Sequence, residues 1–222
     1  MRRLKIMFLG CGFLASHIIP FILPHASEII LIDGDKIERG NYESSIFPKG
    51  YEGKRKVSAL AALIQVLSSV TVVPRHLHVK KASQLIELHK RFKPDFVFVT
   101  FDNIESRLMA KGYIMYTATP SLFVGVTENH VYIDWGEWVM VPVDPGKITK
   151  VRKELEKIRD VCSRLEFRGL GLMAAAYTYY AFKQWLEKNV KTAFIIDLKD
   201  KVHVAQLKRD VNKYGKKLRG KW

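Results

Sequence analysis

A glycine-containing turn between two short apolar segments constrains this chain more than any other feature of its sequence. Residues 5–9 are an apolar run typical of a buried parallel strand. The run is followed by a G-x-G-x-x-A pattern made of Gly10, Gly12 and Ala15. Such glycines permit a tight bend and a close phosphate, and the small third residue lets a helix pack on the sheet. A second apolar run, residues 28–32, ends at Asp33, where nucleotide-binding folds place a carboxylate for the ribose.

Strand-like and helical patterns alternate beyond this turn. A first helix is expected from Phe13, disturbed at Pro20 because proline lacks a backbone N–H. Further helices are predicted over 54–67, 82–92 and 104–116, and strands over 70–73 (with a possible continuation to 79), 95–101 and 121–126. We therefore expect an α/β fold, namely a Rossmann-like, mostly parallel twisted sheet with helices on both faces.

The pattern changes after residue 126. Alternating segments over 130–135 and 137–143 flank Gly136 and predict an antiparallel hairpin. A charged helix is predicted over 147–164, an apolar helix over 172–186, and a final strand pair over 194–198 and 202–207. These segments predict an antiparallel C-terminal extension. We expect one domain over residues 1–200, and a basic tail over 201–222 that starts with a possible edge strand.

Charge and cysteine content limit the partners and the compartment. The 222-residue chain has a formal net charge of +15, which favours an acidic partner such as a nucleic acid, a phosphorylated ligand or an acidic protein. Its two cysteines, Cys11 and Cys162, form no C-x-x-C motif, so we expect neither a zinc site nor a disulfide framework. A cytoplasmic location follows from this cysteine usage.

The N-terminus superficially resembles a secretory signal, because two arginines precede an apolar stretch. Glycines and prolines interrupt that stretch, and the nucleotide fingerprint accounts for the same residues. No unbroken run of 18 apolar residues occurs, so we expect no membrane span and no membrane partner.

Three later motifs narrow the kind of nucleotide site. The D-x-D of Asp33 and Asp35 begins eight residues before Asn41, and a G-x-x-K ends at Lys56. The third motif is a D-N pair followed by an arginine, made of Asp102, Asn103 and Arg107. In this order and spacing, the set resembles the ThiF/MoeB family, whose adenylyltransferase fold is shared with ubiquitin-activating enzymes.

The resemblance implies that a carboxylate attacks the α-phosphate of ATP, giving an acyl-adenylate and pyrophosphate. In that family the carboxylate is usually the C-terminal glycine of a ubiquitin-like or sulfur-carrier protein. The implied cofactors are ATP and Mg²⁺. A homodimer is implied as well, and Leu108 and Met109 on the predicted helix are candidates for its interface.

The resemblance also assigns roles to individual residues. Gly10 and Gly12 would let the phosphates approach the backbone, and Asp33 or Asp35 would hold the ribose. Asn41 would reach a phosphate through its side-chain amide. The alternatives are a loop cap for Asp35 and an ordinary turn residue for Asn41.

The remaining roles concern charge. Lys56 would neutralise the triphosphate, although Lys54 and Arg55 beside it make the assignment ambiguous. Asp102 would coordinate magnesium, with a helix N-cap as its alternative role. Asn103 belongs to the same nucleotide-binding motif, and Arg107 would bind the nucleotide or brace its loop. A family nucleophile would correspond to Cys162, for which simple packing is the alternative.

Three positions depart from the family pattern. Ser44 stands where the family usually has an arginine, the chain begins close to its first strand, and Phe13 replaces a frequent glycine. A degenerate member that only binds a partner is therefore one alternative. A relative that acts on tRNA is another, favoured by the net charge, and an NAD-dependent oxidoreductase is a third.

Overall fold

The computed structural model describes residues 3–127, 130–136, 167–197 and, as backbone only, 203–209. The strands are β1 (Leu4–Leu9), β2 (Ala26–Asp33), β3 (Thr71–His76), β4 (Phe96–Val99), β5 (Ser121–Val126), β6 (His130–Asp134), β7 (Lys191–Asp197) and β8 (His203–Arg209). The α-helices are α1 (Phe13–Ile22), α2 (Asn41–Ser44), α3 (Lys56–Leu67), α4 (Ala82–Phe92), α5 (Ile104–Thr117) and α6 (Arg168–Lys188). Two 3₁₀ turns cover Leu23–His25 and Lys49–Tyr51.

These strands form one sheet in the order β3-β2-β1-β4-β5-β6-β7-β8. The pairs from β3 to β5 are parallel, and β6, β7 and β8 continue the sheet in antiparallel fashion. The predicted class, a mostly parallel sheet with an antiparallel C-terminal extension, is confirmed. Chain order reverses at β1, where β2 lies on one side and β4 on the other, and such a switch point is where open α/β sheets bind ligands.

The central strands β1, β2, β4 and β5 are largely buried on both faces of the sheet, as their apolar runs predict. Ile6 and Phe8 of β1 join one core cluster, which includes buried residues of α1, α3 and α6. Met7 and Leu9 join the opposite cluster, which includes buried residues of α4 and α5. The predicted placement of helices on both faces is therefore confirmed.

Several boundaries differ from the sequence predictions. The fourth strand is shorter than predicted, covering Phe96–Val99. The third runs to His76 and contains Pro74, which is tolerated because β3 lies at the sheet edge. The α-helix continues through Pro20 for two residues before a 3₁₀ turn begins.

The C-terminal predictions are covered in part. Strand β6 pairs with β5 and β7. The second segment of the predicted hairpin, 137–143, and the predicted helix over 147–164 lie outside the described residues, so both stay predictions. The final strand pair forms, as β7 and β8. The division of the chain at residue 200 stays a prediction. None of the helices among the described residues is long and apolar enough to cross a bilayer.

Helix α6 packs closely against α1 through small residues. A Cβ at Gly171 would lie 2.7 Å from the Phe13 ring and 3.0 Å from His17 Nδ1, so a larger residue there would force the Phe13 ring to shift. The Phe13 ring therefore packs against α6 beside His17. Alanines and a threonine continue the buried face of α6. This packing anchors the helix that follows the glycine turn.

His17 makes the stability of this interface depend on pH. It is buried, its Nδ1 lies 2.8 Å from the Phe13 carbonyl, and its Nε2 has no hydrogen-bond partner among the described residues. Burial lowers the pKa of His17, and Arg168 lowers it further against the opposing effect of the Phe13 hydrogen bond. The unfolded chain therefore takes up a proton near pH 6.5 while the folded protein does not, and stability falls as pH falls below that value.

We expect His17→Gln to reduce this loss, measured as the change in urea-unfolding free energy between pH 7.5 and 5.5. The remaining pH dependence includes His25 and His89, whose pKa values burial also lowers. His76→Gln is the control, because His76 is exposed on the edge strand. An unchanged slope in His17→Gln would contradict this account.

Candidate nucleotide-binding site

A cavity of about 200 Å³ opens where β1, β2, β3 and β4 end. Every predicted site residue that the structure describes lines it: Gly10, Gly12, Asp33, Asp35, Asn41, Lys56, Asp102, Asn103 and Arg107. These residues come from five separate segments of the chain. Cys162 lies outside the described residues, so its assigned role stays a prediction.

The glycine turn is shaped by its contact with the end of β4. Gly10 has a φ of +97°, and a Cβ there would lie 2.8 Å from the Thr100 carbonyl carbon. The Thr100 side chain donates a 2.8 Å hydrogen bond to the Gly10 carbonyl, which ties the two loops together. An alanine at Gly10 would therefore be strained and would collide with backbone.

Gly12 leaves the start of α1 open. A Cβ at Gly12 would have no atom within 4 Å, and no side chain caps the helix. No acidic residue lies in the first turn either, so the first amide groups of this ten-residue helix have no capping or acidic partner from the helix start itself among the described residues. Such a helix start attracts an anion, and this one lines the cavity.

Asp33 ties the acidic corner to the glycine turn. Its two carboxylate oxygens accept hydrogen bonds from the backbone N–H groups of Cys11 and Asp35, each 2.7 Å long. Burial raises the pKa of Asp33, although Lys56 and these two hydrogen bonds favour its charged form. Each oxygen retains a lone pair for a ligand hydroxyl. Asp33 is therefore both a structural anchor and a candidate ribose acceptor.

The long segment after Asp35 folds back on itself and so delivers Lys56. Lys36 and Arg55 form an isolated antiparallel bridge, and the backbone N–H of Lys56 donates to the Asp35 carbonyl at 3.0 Å. Ile37 is buried in the core and anchors the segment. Helix α3 consequently begins with its first side chain at the acidic corner.

Lys56 is the central cation of the cavity. Its ammonium lies 3.1 Å from Asp35 Oδ2, and its side chain is only 12% exposed. Burial by itself would lower the pKa of Lys56, but the nearby charges of Asp33 and Asp35 outweigh it and raise the pKa. Asp102 acts in the same direction, so the ammonium stays charged. Lys54 instead lies over the Tyr51 ring, 4.1 Å from its centroid, and neither Lys54 nor Arg55 is among the residues that line the cavity.

The cap of the helix that follows β4 distinguishes between the two possible roles of Asp102, metal ligand and helix N-cap. Asn103, rather than Asp102, caps α5, because its Oδ1 accepts a 2.8 Å hydrogen bond from the Ser106 N–H. The alternative role of Asp102 as N-cap is therefore wrong. The Asp102 carboxylate has a weak 3.4 Å contact from the Asn103 side-chain amide and otherwise lines the cavity.

Arg107 holds this loop from beneath. It is 9% exposed, and its Nη1 donates 2.9 Å hydrogen bonds to the carbonyls of Phe101 and Val124. Burial lowers the pKa of Arg107 to about 10, with Asp102 and Asp134 opposing the shift. At neutral pH it is charged, and it braces the loop against β5 while lining the cavity floor.

The side-chain amide of Asn41 already uses its oxygen in a hydrogen bond within the loop. Its Oδ1 accepts a 3.0 Å hydrogen bond from the Glu38 N–H, which leaves the Nδ2 group as the donor for an acceptor such as a phosphate oxygen. Ser44, three residues later, is fully buried, and Ser45 beside it is nearly so. A serine hydroxyl is also uncharged, so neither residue supplies charge at the cavity mouth.

Among the lining residues that sequence reasoning missed, His78 has a titratable side chain. It follows β3, where the sequence pattern permitted a strand continuing to residue 79, so the ring was hidden inside a predicted element. A histidine just beyond an edge strand that ends beside Asp33 was the available signal. No group of three or more His, Cys, Asp or Glu side chains suited to a metal occurs in the part of the chain that the structure describes.

Comparisons with known proteins identify the family and the fold. A model of the ThiF family matches residues 1–160. The structure of E. coli MccB with succinimide shares 19% identity at a TM-score of 0.71, covering 92% of this chain and 63% of that one. The structure of E. coli MccB with ATP shares 19% sequence identity at a TM-score of 0.69, and the match covers 93% of this chain and 64% of that one. The structure of PaaA shares 18% identity at a TM-score of 0.66, and the match covers 92% of this chain and 72% of that one.

The chain thus spans less than two thirds of the MccB chains, and no curated protein sequence matches it. At these identities the solved structures support the fold. The family model covers most of the chain, and the resemblance inferred from the motifs is confirmed. This protein belongs to the ThiF family.

Proposed function

We propose that this protein is an ATP-dependent adenylyltransferase that activates a carboxylate. One oxygen of the acyl carboxylate forms a bond to the α-phosphorus of ATP, and the bond from that phosphorus to the bridging oxygen breaks. Pyrophosphate leaves with the electron pair, and the acyl group stays as an acyl-adenylate. The attacking group is already an anion, so the reaction requires positioning and charge neutralisation rather than a general base.

The observation that carries the proposal is the convergence of an open helix start, an acidic corner and a buried lysine on one cavity. An anion-binding helix start alone fits any dinucleotide fold. A lysine held between Asp33, Asp35 and Asp102 instead fits a triphosphate, because phosphate oxygens can compete with carboxylates for its ammonium. A dinucleotide-dependent oxidoreductase would not need a lysine or a carboxylate at the positions of Lys56 and Asp102.

Magnesium fits the same cavity. The carboxylate of Asp33 is held by two backbone N–H groups and that of Asp35 by Lys56, whereas Asp102, which lines the cavity, accepts only a weak 3.4 Å contact from the Asn103 side-chain amide among the described residues. Mg²⁺ is usually held by one or two carboxylates together with phosphate oxygens and water, so Asp102 is the residue that would hold it. A bound Mg²⁺ would neutralise phosphate charge during the displacement.

The acyl substrate is proposed to be a polypeptide carboxylate, as in a ubiquitin-like or sulfur-carrier protein. Structures of E. coli MccB with MccA-N7isoASN and of the Microcin C7 biosynthetic enzyme MccB with N-formylated MccA support a polypeptide partner. A homodimer remains part of this proposal, and sedimentation would test it. The net charge of +15 keeps an RNA substrate as a second candidate, whose binding would weaken steeply with salt.

ATP–pyrophosphate exchange tests the proposal. Exchange of labelled pyrophosphate into ATP is expected only when a suitable carrier protein or carboxylate-terminated peptide is present. Purified protein would be assayed with and without a panel of such substrates. ATP binding without exchange for any of them would favour the degenerate, partner-binding alternative that the buried Ser44 suggests.

A further inference from the structure

The charged groups described above occupy only part of the cavity. Phosphate-binding elements lie at the ends of β1 and β4, and Asp33 lies at the end of β2. If the phosphates bind at α1 and the ribose at Asp33, a nucleoside that continues along the same line would place its base toward the end of β3. The cavity continues there, lined by Leu77, His78 and Val79.

His78 is the exposed ring at this end. Its side chain is 65% exposed, whereas Val79 is buried and Leu77 is partly buried. The backbone N–H of Leu77 donates a 3.0 Å hydrogen bond to the Asp33 carbonyl, which fixes this segment to the acidic corner. The His78 ring is therefore exposed to solvent, although the backbone segment that carries it is fixed by a hydrogen bond.

Two contacts hold the imidazole against the acidic corner. A Cβ at Gly34 would overlap the His78 ring, so the glycine permits the ring to lie directly on the backbone. His78 Nδ1 lies 3.8 Å from Asp35 Oδ1, while Lys56 lies 3.1 Å from the other carboxylate oxygen. Asp35 thus lies between Lys56 and the His78 ring, with one carboxylate oxygen near each of them.

We propose that His78 binds the nucleotide base by stacking its imidazole on it. This inference rests on the proposed function, because the direction of the base follows from placing a nucleoside triphosphate in the cavity. Flat rings stack on any base, so the contact would contribute affinity without hydrogen-bond readout.

The test compares ATP with inorganic tripolyphosphate, each with Mg²⁺, by calorimetric titration of the full chain. We expect His78→Ala to weaken ATP binding about 10-fold, as loss of one stacked base would. Tripolyphosphate has no base, and its affinity should not change. His78→Phe should retain ATP affinity because it keeps a flat ring without the ability to pair with Asp35.

His76→Ala is the matched control. His76 is an exposed histidine two residues earlier whose ring centroid lies 6.0 Å from that of His78, and it does not line the cavity. Unchanged ATP affinity in His78→Ala would overturn the inference, and so would an equal loss for ATP and tripolyphosphate or a loss in His78→Phe. Wild-type protein that binds no ATP would instead refute the proposed function.

Discussion

Lys56→Ala is expected to lower ATP–pyrophosphate exchange about 1,000-fold, the range seen when a charge that stabilises a transition state is removed. Its ammonium is buried beside Asp35, and Asp33 and Asp102 keep it charged. Without it, an incoming triphosphate faces three carboxylates with no compensating lysine. The loss should appear in the exchange rate at saturating ATP as well as in ATP affinity.

Lys54→Ala is the control for this variant. Lys54 lies two residues away but packs over the Tyr51 ring, outside the cavity lining. It should keep exchange close to the wild-type rate. Because Lys56→Ala leaves Asp33 and Asp35 without their cation, its unfolding midpoint must be measured too, with Lys56→Gln as a second variant. Folded Lys56 variants that exchange within about 10-fold of wild type would contradict the assigned role.

Local spacing predicted much of this site, because its residues follow strands whose carboxyl ends share one edge of the sheet. Gly10, Gly12 and Asp33 needed only the order of the elements and the behaviour of glycine turns. The sheet and its helix faces followed equally from apolar runs that had to be buried on both sides. The sequence was most informative where a functional residue lies in the turn that directly follows a strand.

Sequence reasoning was weakest where tertiary contacts choose between neighbours. The G-x-x-K spacing selects Lys56 over Lys54 only by resemblance, and the place of Lys56 at the acidic corner depends on a backbone hydrogen bond between Lys56 and Asp35 across the long loop. Asp102 and Asn103 are both good helix caps, and the register of α5 decides which one caps. His78 required knowledge that the edge strand ends beside Asp33.

Asp102→Ala is expected to reduce exchange at least 100-fold, since the proposed metal ligand is removed while Lys56 stays in place. The magnesium concentration for half-maximal exchange should rise as well. A helix cap would behave differently, because its loss typically costs about 1 kcal/mol of stability. Asn103 caps α5 in this protein, so the unfolding free energy of Asp102→Ala should stay near that of wild type.

Glu105→Ala makes the matched comparison, because it removes an acidic side chain from the first turn of the same helix without touching the cavity lining. It should leave both exchange and its magnesium dependence unchanged. An Asp102→Ala protein that loses stability but keeps its magnesium dependence would assign Asp102 to the helix start. The opposite pattern, intact folding with lost magnesium response, is what a carboxylate facing a metal–triphosphate complex requires.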